Sequence, residues 1–410
     1  MPLRLLLLFT TLLAAADKIP RRPFQLPAGI NLDNPLTADN AVAIALANNS
    51  ALEADLSALA PVQADLADAR LHRNPNIQSL LPIGSKPFEF LLNWPIDELW
   101  QRKKRILAAE KNLAVISAGL AQFSLNLTRD VRLAHADLWL AQARHKTLNE
   151  SAVLRERIAQ LTDKRLENGD ASGLEVSLAR ADHQSAVELF QRAAGDIEIA
   201  NARLNALLGL RDSPRALTAA QATLPSNIPN DLVDAAYSAR PDLRAAELQI
   251  EANAYRAKWQ RSRIFNLVMP MLSIKQTGSP LQARSGPGLQ MDIPLFNKNQ
   301  GLIARADAEV TQAAWRYSAL RDRVELEVRE ALARWDQSKA AALQLHTHVQ
   351  PAVERSIQQS VTIYKNGDAS YLNVLESTRL RFDVILRKLD ADAAMARALA
   401  ELERAVGKKL

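Results

Sequence analysis

Six histidines are the side chains of this 410-residue chain best suited to hold a metal ion. They are His72, His135, His145, His183, His346 and His348. His346 and His348 stand two residues apart, and on a helix that spacing directs two side chains to different faces. The chain has no cysteine, which excludes thiolate metal sites, disulfides and cysteine nucleophiles. We therefore predict no metal site and interpret the histidines as solvated or interface side chains.

Motifs for other active-site chemistry are missing as well. The sequence contains neither G-x-S-x-G nor a P-loop nor a dinucleotide-binding fingerprint. The stretch GSPLQARSGPG at 278–288 contains glycines, but it follows a candidate strand and precedes another. We interpret it as an exposed loop rather than a phosphate cradle. The sequence predicts no enzyme and no cofactor.

The charged residues do not indicate a nucleic-acid partner. The net charge is +6, from 51 basic and 45 acidic residues, and the two signs alternate along most of the chain. One basic block, QRKKR at 101–105, stands out. A solvated charged surface explains such a block more simply than nucleic-acid binding does.

The first 16 residues, MPLRLLLLFTTLLAAA, predict a secretory signal peptide. Their apolar run, Leu5–Leu13, is shorter than the ~20 residues of a membrane-spanning helix, which disfavours the alternative of an N-terminal anchor. Without a cysteine the mature chain cannot be lipidated at an N-terminal cysteine. No other stretch is apolar and long enough for a spanning helix, so we expect any membrane crossing to use strands.

The pentapeptide Asn-Gly-Asp-Ala-Ser occurs twice, at 168–172 and at 366–370. Pro95, Gln101 and Glu110 recur as Pro294, Gln300 and Glu309, so the chain is predicted to be a tandem duplication. The first repeat would be 17–210, with strands at about 76–95, a helical hairpin at 97–208 and a tip at 167–174. The second would be 231–410, with strands at about 267–296, a hairpin at 298–406 and a tip at 365–372. Residues 211–230 would connect the two.

Long helices dominate both repeats. No proline occurs from Ile96 to Ser213, and apolar residues recur every three or four positions. In the second repeat the apolar positions are Val324, Val328, Ala331, Trp335, Ser338, Ala342, Leu345, Val349 and Ala352. A helix over 98–166 would be about 100 Å long, more than a globular domain can enclose. We therefore predict that these helices lie along one another as coiled coils.

The repeated pentapeptide has the composition of a turn between two helices. Gly169 and Gly367 are placed to end the long helices in the left-handed conformation. Ser172 and Ser370 stand where the next helix needs an N-cap, and Glu175 would complete a capping box with Ser172.

Alternating segments at the other ends of the long helices predict strands. One face carries Phe88, Phe90, Leu92 and Trp94 in the first repeat and Leu289, Met291, Ile293 and Leu295 in the second. Such alternation is typical of strands with one side in lipid. With weaker partners at 77–81 and from Leu272, each chain would supply four strands, too few for a barrel of ~8. Three copies would supply twelve, which predicts a trimer; small sheets packed on the helices of a soluble protein are the alternative.

Taken together, these segments make the chain resemble the TolC family of outer-membrane ducts. The resemblance rests on LTADNAVAIALANNSAL at 36–52, RPDLRAAELQIEANAYRAK at 240–258, DIPLFNKNQGLIARADAE at 292–309 and the paired tips. It implies a mainly α fold with a small β part, in which a trimeric α-helical tunnel joins an outer-membrane β-barrel and extends into the periplasm. The stretch IPLFNKNQG further resembles the heavy-metal efflux branch.

The resemblance also implies partners and site residues. A periplasmic membrane-fusion adaptor would dock on the tips, and an RND- or ABC-type pump of the inner membrane would supply the substrate. The docking residues would be Asn168, Gly169, Asp170, Ser172, Val176, Asn366, Gly367, Asp368, Ser370 and Val374. Glu175, Asn373 and Glu376 are the candidates for the aperture, where relatives carry acids and this chain has an amide at 373. The alternative function is a periplasmic coiled-coil adaptor or structural protein, and the cargo cannot be inferred from the sequence.

Overall fold

A computed structural model describes residues 23–81, 88–96, 98–210, 214–225, 228–229, 231–263, 268–277, 282–291, 295–365 and 371–410. The predicted signal peptide lies outside the described residues, as do Ile293 and the second turn with Asn366, Gly367, Asp368 and Ser370. The side chains of Leu289, Met291 and Val374 are also not described. Within the described ranges, no helix is both long and apolar enough to cross a membrane.

Helices and strands follow one another in a similar order in the two halves. The first half contains α1 (Ala38–Asn48), α2 (Ser50–Ser57), α3 (Leu59–Arg70), β1 (Asn76–Leu80), β2 (Glu89–Asn93), α4 (Glu98–Glu167) and α5 (Gly173–Leu208). The second contains α6 (Leu232–Ala239), α7 (Pro241–Ser262), β3 (Val268–Thr277), β4 (Gln282–Met291), α8 (Gln300–Gln344), a π-helical turn (Leu345–Val349), α9 (Gln350–Lys365) and α10 (Tyr371–Val406).

The four strands form one antiparallel sheet in the order β1-β2-β3-β4. The prediction of a loop over 278–288 is wrong for residues 282–288, because they belong to β4 and pair with β3. Pro287 stands opposite Leu272. Proline lacks the amide donor of a central strand, but β4 is an edge strand of this sheet and can contain it.

The two faces of the sheet differ in polarity. Leu92 stands opposite Ile77 on one side and Leu272 on the other, so these apolar residues share a face. On the other face Lys275 stands opposite Glu89, and its Nζ lies 2.7 Å from the carboxylate. The sheet therefore has the apolar and polar faces that the alternation predicts.

The first long helix is continuous, as predicted: α4 runs from Glu98 to Glu167. Leu127, Val131 and Leu138, at steps of four and seven, are buried along one of its faces. In α8 the predicted positions Val324, Val328, Ala331 and Trp335 are likewise buried.

The predicted apolar spacing fails after Leu345. Residues Leu345–Val349 form a π-helical turn, and beyond it Val353 is buried while Ala352 is exposed. A π turn holds an extra residue, so the buried face moves by one position along the sequence. The placement of Ala352 on the buried face is therefore wrong.

The contacts divide the chain into two compact units, and each draws on both halves of the sequence. One unit comprises the described residues within Met1–Ser50, Leu127–Leu224 and Asp336–Ala400. The other comprises Ala51–Asn126, Pro225–Trp335 and Glu401–Leu410, and it contains the whole sheet.

Candidate functional site

The turn at Gly169 ends α4 in the predicted way. Gly169 has a φ of +82°, which only glycine adopts without strain. Its amide donates to the carbonyl of Leu166 at 3.0 Å, and the amide of Asp170 donates to the carbonyl of Arg165 at 2.8 Å. This pair of bonds is a Schellman motif, which satisfies carbonyls that the end of a helix leaves without partners.

The next helix, α5, begins with the predicted capping box. The Ser172 hydroxyl accepts a hydrogen bond from the Glu175 amide at 3.2 Å, and the Glu175 carboxylate accepts one from the Ser172 amide at 3.2 Å. The carboxylate of Glu175 therefore stabilises the turn itself. Its place at an aperture stays a prediction.

The outer surface of this turn is partly apolar. Asn168, Gly169, Asp170 and Ser172 are exposed, whereas Val176 is buried. Four leucines near the turn are also exposed: Leu161, Leu166, Leu174 and Leu178, of which Leu174 is 70% exposed. The turn motif alone does not predict these leucines, because glycine and serine account for the turn without them. A leucine two positions after the capping serine is the signal that could have identified them.

The other predicted site residues lie on α10 and on the sheet. Asn373 and Glu376 are exposed, and Leu375 between them is buried. Around the sheet, Phe90 and Leu92 lie within β2 and are half-buried, as is Phe88 just before it. Trp94 and Leu295 are exposed. The roles of these residues at an aperture or in lipid stay predictions.

Three helices pack together two to three turns away from the Gly169 turn. Ala159 of α4, Ala179 of α5 and Leu375 of α10 form one buried cluster, with Ile158 against it. Two of these side chains are methyl groups, so the helix backbones can approach closely.

A buried carboxylate lies one turn farther from the tip. Asp182 of α5 is 4% exposed, and its Oδ1 accepts hydrogen bonds from Arg155 Nη1 at 3.1 Å and from Arg379 Nη2 at 2.6 Å. Arg155 belongs to α4 and is mostly buried, whereas Arg379 belongs to α10 and its side chain is 57% exposed. One carboxylate thus joins all three helices. No local sequence signal identifies this triad, because Asp182 and Arg379 are 197 residues apart.

A second buried polar residue, His135, contacts the segment just before α1. His135 of α4 is 1% exposed, and its Nε2 lies 2.7 Å from the carbonyl of Leu36. Leu36 forms a parallel bridge with Ala219 of the connector. Burial lowers the pKa of His135, and the hydrogen bond to Leu36 opposes that shift only in part. The neutral ring donates its Nε2 proton to the carbonyl.

We expect acidification to destabilise this region through His135. Its pKa is lower in the folded than in the unfolded protein, so the unfolded protein binds more protons as the pH falls below about 6.5. The stability is therefore complete above that pH and is lost progressively below it. His135→Gln can still donate a hydrogen bond to the Leu36 carbonyl. In detergent its melting temperature should fall less between pH 7.5 and pH 5 than that of the wild type. His348→Gln, an exposed control, should retain the wild-type pH dependence; equal dependence in all three proteins would contradict the assignment.

The histidines form no metal cluster in the described part of the chain. No group of three or more His, Asp or Glu side chains is placed there to hold an ion. His346, within the π-helical turn, instead pairs with Asp392 at 2.9 Å.

Comparison with known proteins gives consistent matches. A family model for outer membrane efflux proteins matches residues 41–210 and 232–408. The cobalt-zinc-cadmium resistance protein CzcC of Cupriavidus metallidurans is 25% identical over 380 residues, which are 91% of this chain and 90% of CzcC. The cation efflux system protein CusC of Escherichia coli K12 is 25% identical over 324 residues, 76% of this chain and 70% of CusC. A crystal structure of CusC has a TM-score of 0.74 at 20% identity, covering 95% of this chain and 97% of CusC.

Proposed function

Because this chain belongs to the outer membrane efflux protein family, we propose that it is the exit duct of a tripartite system that exports divalent metal cations. The protein is an outer-membrane efflux channel, and such channels are trimers that work with adaptors and inner-membrane pumps. The cargo is inferred from the relatives, since CzcC is named for resistance to cobalt, zinc and cadmium and CusC for cation efflux.

The free edges of the sheet support assembly from identical copies. Among the described residues β1 and β4 each have one neighbouring strand, so each leaves a row of backbone donors and acceptors there without strand partners. Such edges are unfavourable in lipid unless another strand pairs with them. In a trimer, β1 of one protomer would pair with β4 of the next, with the apolar face of Leu92 and Leu272 toward lipid.

The turn at Gly169 is the observation that carries the proposal of a docked adaptor. It is held rigid by the Schellman motif and the capping box, and it exposes Leu174 and Leu166. Exposed leucines around a rigid turn suit a helical hairpin of a membrane-fusion adaptor, which would bury them. The pump is then expected to be of the RND or ABC type and to supply the energy, while the duct is passive.

The experiment is complementation of the metal sensitivity of cells that lack this gene but retain their metal-efflux pump and its adaptor. The wild-type chain should restore growth in cobalt, zinc or cadmium. Gly169→Val should abolish most of the restoration, because a β-branched residue at a φ of +82° would distort the turn. Cross-linking of the tip to the adaptor should fall in parallel.

Gly195→Val is the matched control. Gly195 is exposed in the middle of α5, and a Cβ there meets no atom within 4 Å. This variant should support growth like the wild type. If the wild-type chain restores resistance to organic drugs but to no metal, the cargo is wrong; if Gly169→Val cross-links and complements normally, the docking role is wrong.

A further inference from the structure

Exposed apolar side chains lie on the segments that flank one end of β1 and β2. Asn76, the first residue of β1, pairs with Asn93, the last residue of β2, so the chain enters from α3 and leaves toward α4 at this end of the two strands. Leu71, Trp94 and Leu99 lie on the adjoining segments and are 64%, 57% and 81% exposed. A contiguous apolar surface of this kind is typical of a site that binds a partner or a membrane.

The same segments are strongly basic. No acidic residue occurs at positions 69–88 or 99–109. These ranges contain Arg70, His72, Arg73, Lys86, Arg102, Lys103, Lys104 and Arg105, and they include the basic block at 101–105. Neither the proposed role of the Gly169 turn nor that of the four strands explains why the chain carries this basic block.

Two arginines of the block have structural roles. Arg102 Nη2 donates to the carbonyl of Arg70 at 2.7 Å, and Arg105 Nη2 donates to the carbonyl of Leu71 at 2.8 Å. They thereby satisfy carbonyls at the C-terminal end of α3, which the helix itself leaves without partners. Lys103 is different: it is exposed and has no carboxylate partner in the described part of the chain.

A groove beside Lys103 combines both kinds of side chain. It has a volume of about 400 Å³ and is lined by His72, Leu99, Arg102, Lys103, Ile106 and Leu107. Leu99, Lys103 and Ile106 follow one another at steps of four and three, so they form one stripe along α4. An apolar surface next to cationic groups is complementary to an amphiphile with an acyl chain and a negatively charged head.

We propose that this groove binds an anionic phospholipid of the membrane in which the sheet lies. Lys103 contacts the phosphate, and Leu99, Ile106 and Leu107 contact the first part of an acyl chain. The placement beside a bilayer rests on the proposed function, whereas the composition of the groove does not. Basic residues at a membrane surface attract anionic headgroups, and aromatic residues such as Trp94 favour the same interfacial depth.

The test measures lipid adducts of the full-length protein in detergent by native mass spectrometry. Dioleoylphosphatidylglycerol should bind in preference to dioleoylphosphatidylcholine. Lys103→Ala should weaken binding of phosphatidylglycerol about fivefold and Lys103→Glu about thirtyfold, as the loss and the reversal of one surface charge imply. Lys339→Glu reverses an exposed lysine on α8 and should leave binding unchanged.

Two further arms identify the ligand. Leu99→Ser changes a side chain that is 81% exposed and so should fold normally, but it should weaken phosphatidylglycerol binding. Millimolar inorganic phosphate should not displace the lipid; displacement would overturn the proposal in favour of a free anion. Equal binding by wild type and Lys103→Glu, or no preference over phosphatidylcholine, would also overturn it. Since the assay needs neither pump nor adaptor, failed metal complementation with intact lipid binding would contradict only the proposed function.

Discussion

Replacing Asp182 by alanine should destabilise the helical region near the tip by about 3 kcal/mol. The change leaves Arg155, with a side chain only 12% exposed, as a buried charge without its carboxylate. The estimate lies at the lower end of the range for broken buried pairs, because Arg379 is 57% exposed and can turn toward water. Because Asp182 joins α4, α5 and α10, we also expect a higher leak conductance of the closed channel in planar bilayers.

Asp163→Ala is the matched control for Asp182→Ala. Asp163 on α4 pairs with Arg180 on α5 at 3.0 Å, so this ion pair joins two of the same helices. Its side chains are 35% and 67% exposed, and exposed pairs contribute less than about 1 kcal/mol. Urea unfolding in detergent compares the two variants. Equal unfolding midpoints for Asp182→Ala and Asp163→Ala would contradict the special role of the buried carboxylate.

A double variant separates the effect of removing the carboxylate from the effect of keeping the buried charge of Arg155. Asp182→Leu combined with Arg155→Met removes the buried charge together with its partner. Apolar replacement of a whole buried ion pair is often neutral, so the double variant should recover at least half of the stability that Asp182→Ala loses. A double variant as unstable as Asp182→Ala would show that the cavity or helix contacts, rather than the lost pairing of Arg155 with a carboxylate, cause the loss.

The features that the sequence predicts well depend on neighbouring residues. Gly169 adopts a positive φ, and the Ser172 hydroxyl accepts a hydrogen bond from the Glu175 amide. All atoms of these two motifs lie within about ten residues of one another along the chain. The long helix Glu98–Glu167 also follows from local properties, namely the absence of proline and a regular apolar spacing. The absence of proline and the apolar spacing both favour a helix, and tertiary contacts do not override them.

Features that depend on distant partners could not be predicted in this way. The residues 282–288 have the composition of a loop, yet ten residues of β3 pair with ten of β4 and make them a strand. The π-helical turn at Leu345–Val349 moves the buried face from Ala352 to Val353, although the apolar spacing continues through it. The Asp182 triad depends on Arg379, which the sequence places in the other repeat.

The stretch RPDLRAAELQ at 240–249 illustrates both situations. Pro241 stands in the first turn of α7, where proline needs no amide partner, and this could be inferred locally. The role of Arg240 could not be inferred from neighbouring residues. Its side chain is 3% exposed and contacts Glu327 of α8 and the carbonyl of Ala405 in α10, 87 and 165 residues away.

Replacing Arg240 by alanine should therefore destabilise the unit that contains the sheet by about 3 kcal/mol or more. Arg240 donates to both carboxylate oxygens of Asp242, at 3.0 and 2.5 Å, and its Nη1 lies 2.8 Å from Glu327 and 3.1 Å from the carbonyl of Ala405. Burial lowers the pKa of Arg240, but the hydrogen bonds and charges of Asp242 and Glu327 outweigh it, so the pKa is raised and the guanidinium stays charged. Its removal leaves two carboxylates and the C-terminal carbonyl of a helix without their shared donor.

Arg240→Lys and Arg244→Ala complete the experiment, again by urea unfolding in detergent. Lysine keeps the charge but not the planar fork, so Arg240→Lys should lie between the wild type and Arg240→Ala. Arg244, one turn along α7, forms an exposed pair with Glu247 and should change stability by less than about 0.5 kcal/mol when replaced by alanine. If Arg240→Lys were as stable as the wild type, charge alone would hold α7, α8 and α10 together; if Arg240→Ala matched Arg244→Ala, the buried guanidinium would contribute nothing to that junction.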